Sequence, residues 1–448
     1  MRLFTRLLPA LVVAVGLVGC AIPAMGQPAP AAWRARPLPA GNAACPEALP
    51  KDTRCYSGRS EAGAFYWIAI PADWHGGLVL HAHGGPRRPP PEANDPVDDL
   101  TRFSVMVSEG YAWAGSTYRR GGYGVRMAAE DMDQLRQIFW TRFGRPRITL
   151  LHGQSWGGNV AAKAQELYAF DADGGRNYDG VFLSAGVLGG GSRAYGFRAD
   201  LRAVYQFYCK NHPAPDEAQY ALWSGLPRGV TMRRVELERR VEACTGVSLS
   251  DAQRTPAQRR ALANITAVVG IEADELTAHL WWATNLFQDL VGERLDGGNP
   301  FSNRATVYAG SDDDAALNAG VERFEADPMA VARLAWDSDL SGQIALPTLT
   351  VHAIHDPTVF VSHEAMYRQT VADAGRANLL VQTFTDEDEH SKLSTPQYAA
   401  LLAALADWIE TGQRPTPQGI ADACPAFATL YSEPCRFVPD FVPQLPEG

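Results

Sequence analysis

Short apolar runs and longer amphipathic stretches alternate along much of this chain. Residues 65–70, 78–81 and 111–116 carry the dense β-branched, aromatic and leucine content of strands. Residues 125–143 have helical length and periodicity, with the charges gathered on one side. A short apolar run follows at 148–151, then an Ala-rich helical stretch at 159–170 and another short run at 181–183. This rhythm predicts an α/β fold with a mostly parallel, doubly wound sheet and helices on both faces. The rhythm breaks near residue 190. Residues 191–343 read as mostly helical, with helices predicted near 216–223, 231–244, 257–268 and 272–293. Strand and helix patterns then return at 347–351, 363–374, 379–384 and 396–411. A helical insertion inside a doubly wound sheet predicts a cap. The chain thus divides into a core, first part (45–190), a helical cap (191–343), a core, second part (344–412), and a C-terminal extension (413–448). No internal repeat stands out.

The first 26 residues follow another pattern. Arg2 and Arg6 precede an apolar run over 7–19, too short to span a bilayer comfortably and suited to a cleaved export signal. Two cleavage readings compete. Leu17-Val18-Gly19-Cys20 resembles a bacterial lipobox, which would make Cys20 a lipidated first residue and anchor the protein in a membrane. Ala24-Met25-Gly26 is a small-x-small site that would release a soluble chain from Gln27. Residues 27–44, rich in Pro and Ala, read as a linker. No later apolar run predicts a spanning helix.

Composition narrows the partners. A net charge of −10 argues against a nucleic-acid partner, and the Arg87–Arg88 pair is too small to form a basic patch. Of the 7 cysteines, setting Cys20 aside leaves Cys45, Cys55, Cys209, Cys244, Cys424 and Cys435. An even number in an exported chain suggests disulfides, and the sequence-local pairing 45–55, 209–244 and 424–435 is favoured. No Cys-x-x-Cys or clustered Cys/His spacing suggests a metal site.

The chemistry concentrates at Gly153-Gln154-Ser155-Trp156-Gly157, a G-x-S-x-G set between a predicted strand and a predicted helix. That is the setting of a nucleophile elbow, a sharp turn that lifts a serine hydroxyl clear of a sheet and needs small neighbours. A nucleophilic serine needs a base, and the base an orienting carboxylate. Asp356 follows the strand at 347–351, and His390 follows the strand at 379–384, so both fall at the carboxyl ends of strands, as Ser155 does. His352 and His355 read as packing or supporting residues, His363 as a solvated residue opening a helix, and residues 386–389 as a solvated acidic turn. The Trp156 amide and that of Gly85, in His83-Gly84-Gly85, are the candidate oxyanion donors, because Pro86 has no N–H. The aromatic stretch 279–287 reads first as cap packing and second as a wall for an acyl or aromatic group. Tyr118-Arg119-Arg120 reads as an exposed loop or, alternatively, an anion subsite. Asn264-Ile265-Thr266 is a glycosylation sequon that a bacterial-type export signal leaves unused.

Together these residues resemble the α/β-hydrolase fold serine hydrolases over about 60–190 and 345–412. Residues 70–80, with Gly110-Tyr111-Ala112-Trp113-Ala114, resemble exported bacterial esterases of that superfamily. His83-Gly84-Gly85-Pro86 with Gly153-Gln154-Ser155-Trp156-Gly157-Gly158 is similar to the prolyl aminopeptidase group, whose motif usually continues with a glycine where this chain has Arg87. The resemblance implies acyl transfer to water without a cofactor: Ser155 attacks, His390 moves the proton and Asp356 holds the ring. The substrate implied is a small-molecule ester, with a short peptide or amide as the alternative. A non-catalytic binding relative, or haloperoxidase- or lyase-type chemistry, are the remaining readings. Oligomeric state is not legible.

Overall fold

The computed structural model describes residues 38–445, so the expected export signal, Cys20 and most of the linker lie outside the described residues. Eight strands form one sheet: β1 (Arg54–Arg59), β2 (Phe65–Ile70), β3 (Gly77–Ala82), β4 (Ala112–Ser116), β5 (Ile148–Gln154), β6 (Gly180–Ser184), β7 (Thr348–Ala353) and β8 (Leu380–Thr385). Their order is β1-β2-β4-β3-β5-β6-β7-β8. β1 and β2 pair antiparallel, as do β2 and β4, and every later pairing is parallel. The mostly parallel, doubly wound sheet expected from the sequence is thus present.

The helices are α1 (Asp95–Arg102), α2 (Ser104–Ser108), α3 (Val125–Phe143), α4 (Trp156–Tyr168), α5 (Gly190–Ala194), α6 (Gly196–Cys209) and α7 (Arg234–Thr245). They continue with α8 (Pro256–Val269), α9 (Leu276–Phe287), α10 (Asp314–Gly320), α11 (Pro328–Ser338), α12 (Ser362–Asp373), α13 (Thr395–Thr411) and α14 (Pro417–Tyr431). Strands β3 to β7 are buried along their whole length, which is why they read as continuous apolar runs rather than alternating ones. On one face Val79, Trp113, Leu150, Phe182, Leu349 and Val351 form a single core with Leu401, Leu402, Leu405 and Trp408 of α13. α3 and α4 pack on each other and on β3, and α4 also on β5 and β6.

Helices α5 to α11 lie in the chain between β6 and β7. α6, α7, α8 and α9 pack on one another, whereas α11 packs on α3, α4 and α5. Two predicted helices change. Residues 216–223 are not a helix: the Glu217 and Gln219 side chains bond the Ala214 backbone, and only a 3-10 turn remains at Leu222–Ser224. The helix expected at 272–293 runs as α9 and then widens into a π-helical segment, Gln288–Arg294.

Both sheet edges are covered. Asn42 and Ala43, at the end of the stretch read as linker, donate backbone hydrogen bonds to the Cys55 carbonyl. At the far edge Val438 bonds the Phe384 carbonyl and Asp386 bonds that of Arg436, so the C-terminal segment lies against β8. The cysteines pair as the sequence-local set: Cys45–Cys55, Cys209–Cys244 and Cys424–Cys435. Among the described residues no helix is long and apolar enough to cross a membrane.

Candidate active site

Ser155 stands between β5, a central strand, and the first residue of α4. Its backbone has φ 57° and ψ −125°, a left-handed conformation that a non-glycine residue adopts only under constraint. The constraint is visible: its amide donates to the Ser184 carbonyl at 3.0 Å, while its own carbonyl accepts from Gly158 at 2.9 Å and Val187 at 3.0 Å. The glycines on either side are steric requirements. A side chain at Gly153 would strike the Gly157 carbonyl, and one at Gly157 the carbonyl of Ala82.

His390 lies in the loop after β8 and brings Ser155 and Asp356 together. Its Nε2 is 2.9 Å from Ser155 Oγ and its Nδ1 is 2.7 Å from Asp356 Oδ2. An ionised carboxylate only accepts, so Nδ1 carries the proton and Nε2 is free to accept from the serine hydroxyl. Asp356 Oδ1 accepts the backbone amides of Thr358 and Val359, each at 2.9 Å. Burial by itself would raise the Asp356 pKa, but the His390 hydrogen bond and the His390 and His352 charges hold it below the usual value.

Behind the acid is a second, buried layer. His352 Nε2 bonds the Val359 carbonyl at 2.7 Å and lies 3.6 Å from Asp356 Oδ2, while Nδ1 faces Glu364 Oε1 at 3.4 Å. Burial disfavours the imidazolium, yet Glu364 and Asp356 raise the His352 pKa above its ordinary value. His279 of α9 reaches the acid loop from the inserted helices, its Nε2 2.9 Å from the Pro357 carbonyl. Arg198 of α6 donates to the carbonyl of Thr358 at 3.2 Å.

Several sequence expectations change here. His363 is buried, not solvated: it accepts from the Gly189 amide at 3.3 Å, and burial pushes its pKa down to about 3. His355 is exposed beside Asp386. Within the acidic turn Glu387 is half-buried, and burial raises its pKa. Arg119 is tied to Asp131 and Glu130, and Arg120 donates to the carbonyls of Gly121 and Tyr123, so neither lines the cleft. Asn264 is buried in α8 and bonds Asp312 at 2.7 Å.

The cleft over Ser155 is a cavity of about 800 Å³, lined among others by Gly84, Gly85, Gln154, Ser155 and His390. Trp281 and Trp282 also line it, which corrects their reading as packing residues; Leu280, Ala283 and Phe287 carry the packing instead. The Trp282 ring comes 3.7 Å from where a Cβ on Gly85 would be. Gly85 has φ 69° and turns its backbone into the cavity wall. Trp156 buries its indole against His83, Tyr118 and Tyr123, and its amide opens α4, where a helix has no internal acceptor for it.

Ser391 and Arg102 had no signal in the sequence. Ser391 Oγ is 3.2 Å from His390 Nε2 and accepts from the side-chain Nε2 of Gln154, while Arg102 donates to the Ser391 carbonyl. Among the described residues no three His, Cys, Asp or Glu side chains cluster as metal ligands would.

No family model and no curated protein matches the chain. Solved structures similar to it include the rice cell wall degrading esterase LipA from Xanthomonas oryzae, at 14% identity and TM-score 0.37, covering 80% of this chain and 88% of that one. A mutant of the esterase E40 is similar at 11% identity and TM-score 0.40, covering 86% of each chain. Puromycin hydrolase is similar at 13% identity and TM-score 0.39, covering 82% of this chain and 40% of its own. These likenesses are too weak to bear on function. The strand order, the antiparallel start and the strained serine turn at the end of β5 are the firmer ground, and by them this chain has the α/β-hydrolase fold.

Proposed function

We propose that this protein is an exported serine hydrolase that cleaves carboxylic esters through Ser155, His390 and Asp356. The observation that carries the reading is His390 bridging Ser155 Oγ and Asp356 Oδ2 at 2.9 and 2.7 Å. In the first half-reaction His390 Nε2 takes the Ser155 proton as Oγ bonds the substrate carbonyl carbon. The oxyanion falls to the amides of Gly85 and Trp156, and the positive end of α4 favours the same charge. His390 then gives its proton to the leaving alcohol as the ester C–O bond breaks. In the second half-reaction water, deprotonated by the same nitrogen, releases the acid and restores Ser155. Asp356, held by two backbone amides, keeps the ring oriented and stabilises the imidazolium. The alternative is an amidase or aminopeptidase acting through the same residues.

Three disulfides support export to an oxidising compartment. The 1–26 segment supports the same reading, with Cys20 as a lipid anchor or cleavage after Gly26. The helices between β6 and β7 supply the cap, with Trp281 and Trp282 over the cleft.

The test compares purified wild type with Ser155→Ala on 4-nitrophenyl acyl esters and on prolyl and alanyl 4-nitroanilides. Ester turnover should dominate and fall at least ~10³-fold in the variant. Dominant anilide turnover, dependent on a free α-amine, would move the assignment to an aminopeptidase. Turnover that survives the substitution would remove Ser155 from the mechanism.

A further inference from the structure

Ester hydrolysis makes no use of one property of the cleft: its charge. Arg87 and Arg88, directly after the His83–Pro86 turn, and Arg102, at the end of α1, all line the cavity that contains Ser155. Asp99 is the one carboxylate among the lining residues, and it is taken up by Arg87 at 2.9 Å. The other two guanidiniums have neutral partners. Arg88 donates to the Asn285 carbonyl and to Gln288 Oε1, each at 3.0 Å, and to Asn285 Oδ1 at 2.5 Å. Arg102 donates to the Ser391 carbonyl and lies 5.3 Å from the centre of the Phe103 ring.

Two positive charges therefore face a partly enclosed cleft whose one lining carboxylate, Asp99, is paired with Arg87. A guanidinium has five N–H donors, so each retains donors for a ligand. Arg88 is also preorganised, since its bonds to Asn285 and Gln288 fix it between the turn and α9. The cavity also has an apolar side, formed by Trp281, Trp282, Met232 and Leu286. Glu275, whose charge is felt by His390 and Asp356, is not among the lining residues.

We propose that the cleft selects esters whose acyl or alcohol part carries a carboxylate, seated on Arg88 and Arg102, with the apolar body of the substrate against Trp281 and Trp282. The arginines of the 118–120 loop, an alternative anion subsite by sequence, are engaged elsewhere; these take the role. Carboxylate recognition by a guanidinium is directional and strengthens as water is excluded. An α-ammonium group would meet the wrong sign of charge here. This inference rests on Ser155-dependent ester hydrolysis.

Two matched pairs test it. In the acyl arm, the mono-4-nitrophenyl ester of suberic acid is compared with its carboxamide analogue. In the alcohol arm, 4-acetoxybenzoate is compared with 4-acetoxybenzamide. All rates are taken above the Ser155→Ala background. In at least one pair kcat/KM for the anion should exceed that for the neutral partner by about ten-fold. The ratio should shrink as salt is raised and approach one in Arg88→Gln and Arg102→Gln, with Arg88→Lys keeping part of it. Equal kcat/KM within both pairs overturns anion selection and leaves ester hydrolysis standing, and so does a ratio unmoved by either substitution. The wild-type ratio and its salt dependence decide the matter even if a variant fails to fold. No Ser155-dependent turnover of any of the four esters overturns both readings.

Discussion

At the scale of single residues, the carboxylate that accepts the His390 Nδ1–H does not act alone. Asp356 has His390 on one side and His352, backed by Glu364, on the other. This makes His352 a positioning residue: it ties the Val359 carbonyl, and so the turn whose amides hold Asp356. Replacing it with Gln should lower kcat about 10- to 100-fold, the scale expected for a small misplacement of reacting groups, with little change in KM. Removing a cation beside the carboxylate–imidazole pair also makes protonation of the pair easier. The acid limb of the kcat/KM profile should therefore move to higher pH. Stability will fall as well, since buried Glu364 loses the imidazole it faces and keeps only neutral partners, Thr350 and Gln382. The double variant His352→Gln, Glu364→Gln should recover much of that stability without recovering the pH profile. If kcat and the acid limb return together with stability, His352 is only structural. That Ser155, Asp356 and His390 come together was legible in the sequence, because each follows a recognisable strand and their order along the chain fits the fold. Ser391, Arg102 and the Arg88–Asn285 link were not. They depend on contacts between residues hundreds of positions apart, and Ser391 and Arg102 have no local pattern.

At the scale of elements, the buried parallel strands and α3 were plain in the hydrophobic pattern, because apolar runs that short, between turn signals, pack best inside a sheet. β1 was not, since its burial changes along the strand and its outer edge is closed by Asn42 and Ala43. α6 and α14 were missed too, although α6 has a clear buried face including Leu201, Val204 and Tyr205. α6 matters to the site because Arg198 reaches the acid loop. Its far end, Cys209, is joined to Cys244 at the end of α7, with a sequence separation of 35. Closing a loop of that size is worth about 3–4 kcal/mol in the chain-entropy model. Cys209→Ser with Cys244→Ser should lower Tm by roughly 3–5 °C, read by calorimetry. An unchanged Tm would mean that α6 and α7 hold together without the bond. The same double variant should cost less activity than His352→Gln, because the disulfide lies at the opposite end of α6 from Arg198.

Over the whole molecule, buried histidines should set the acid limit. Burial pushes the pKa of His83 down to about 4 and those of His279 and His363 to about 3. His152 and His212 are lowered for the same first reason, loss of solvation. All of these regain an ordinary value near 6.5 on unfolding. Below that value the unfolded chain binds more protons than the folded one, so stability falls as pH falls, by up to about 1.4 kcal/mol per histidine for each pH unit. His352 has the opposite sign: its raised pKa contributes stability that is complete below pH ~6.5 and lost as pH rises through its folded value. Buried carboxylates with raised pKa values, such as Asp131, Asp179 and Asp337, oppose part of this loss. The window between about pH 6.5 and 5 is therefore governed by the buried neutral imidazoles. Urea unfolding at constant ionic strength should show a midpoint that drops steeply from pH 6.5 to 5, with several protons taken up for each molecule unfolded. A midpoint that stays flat across that window would mean the histidines ionise without unfolding, and that the folded chain lets water reach them.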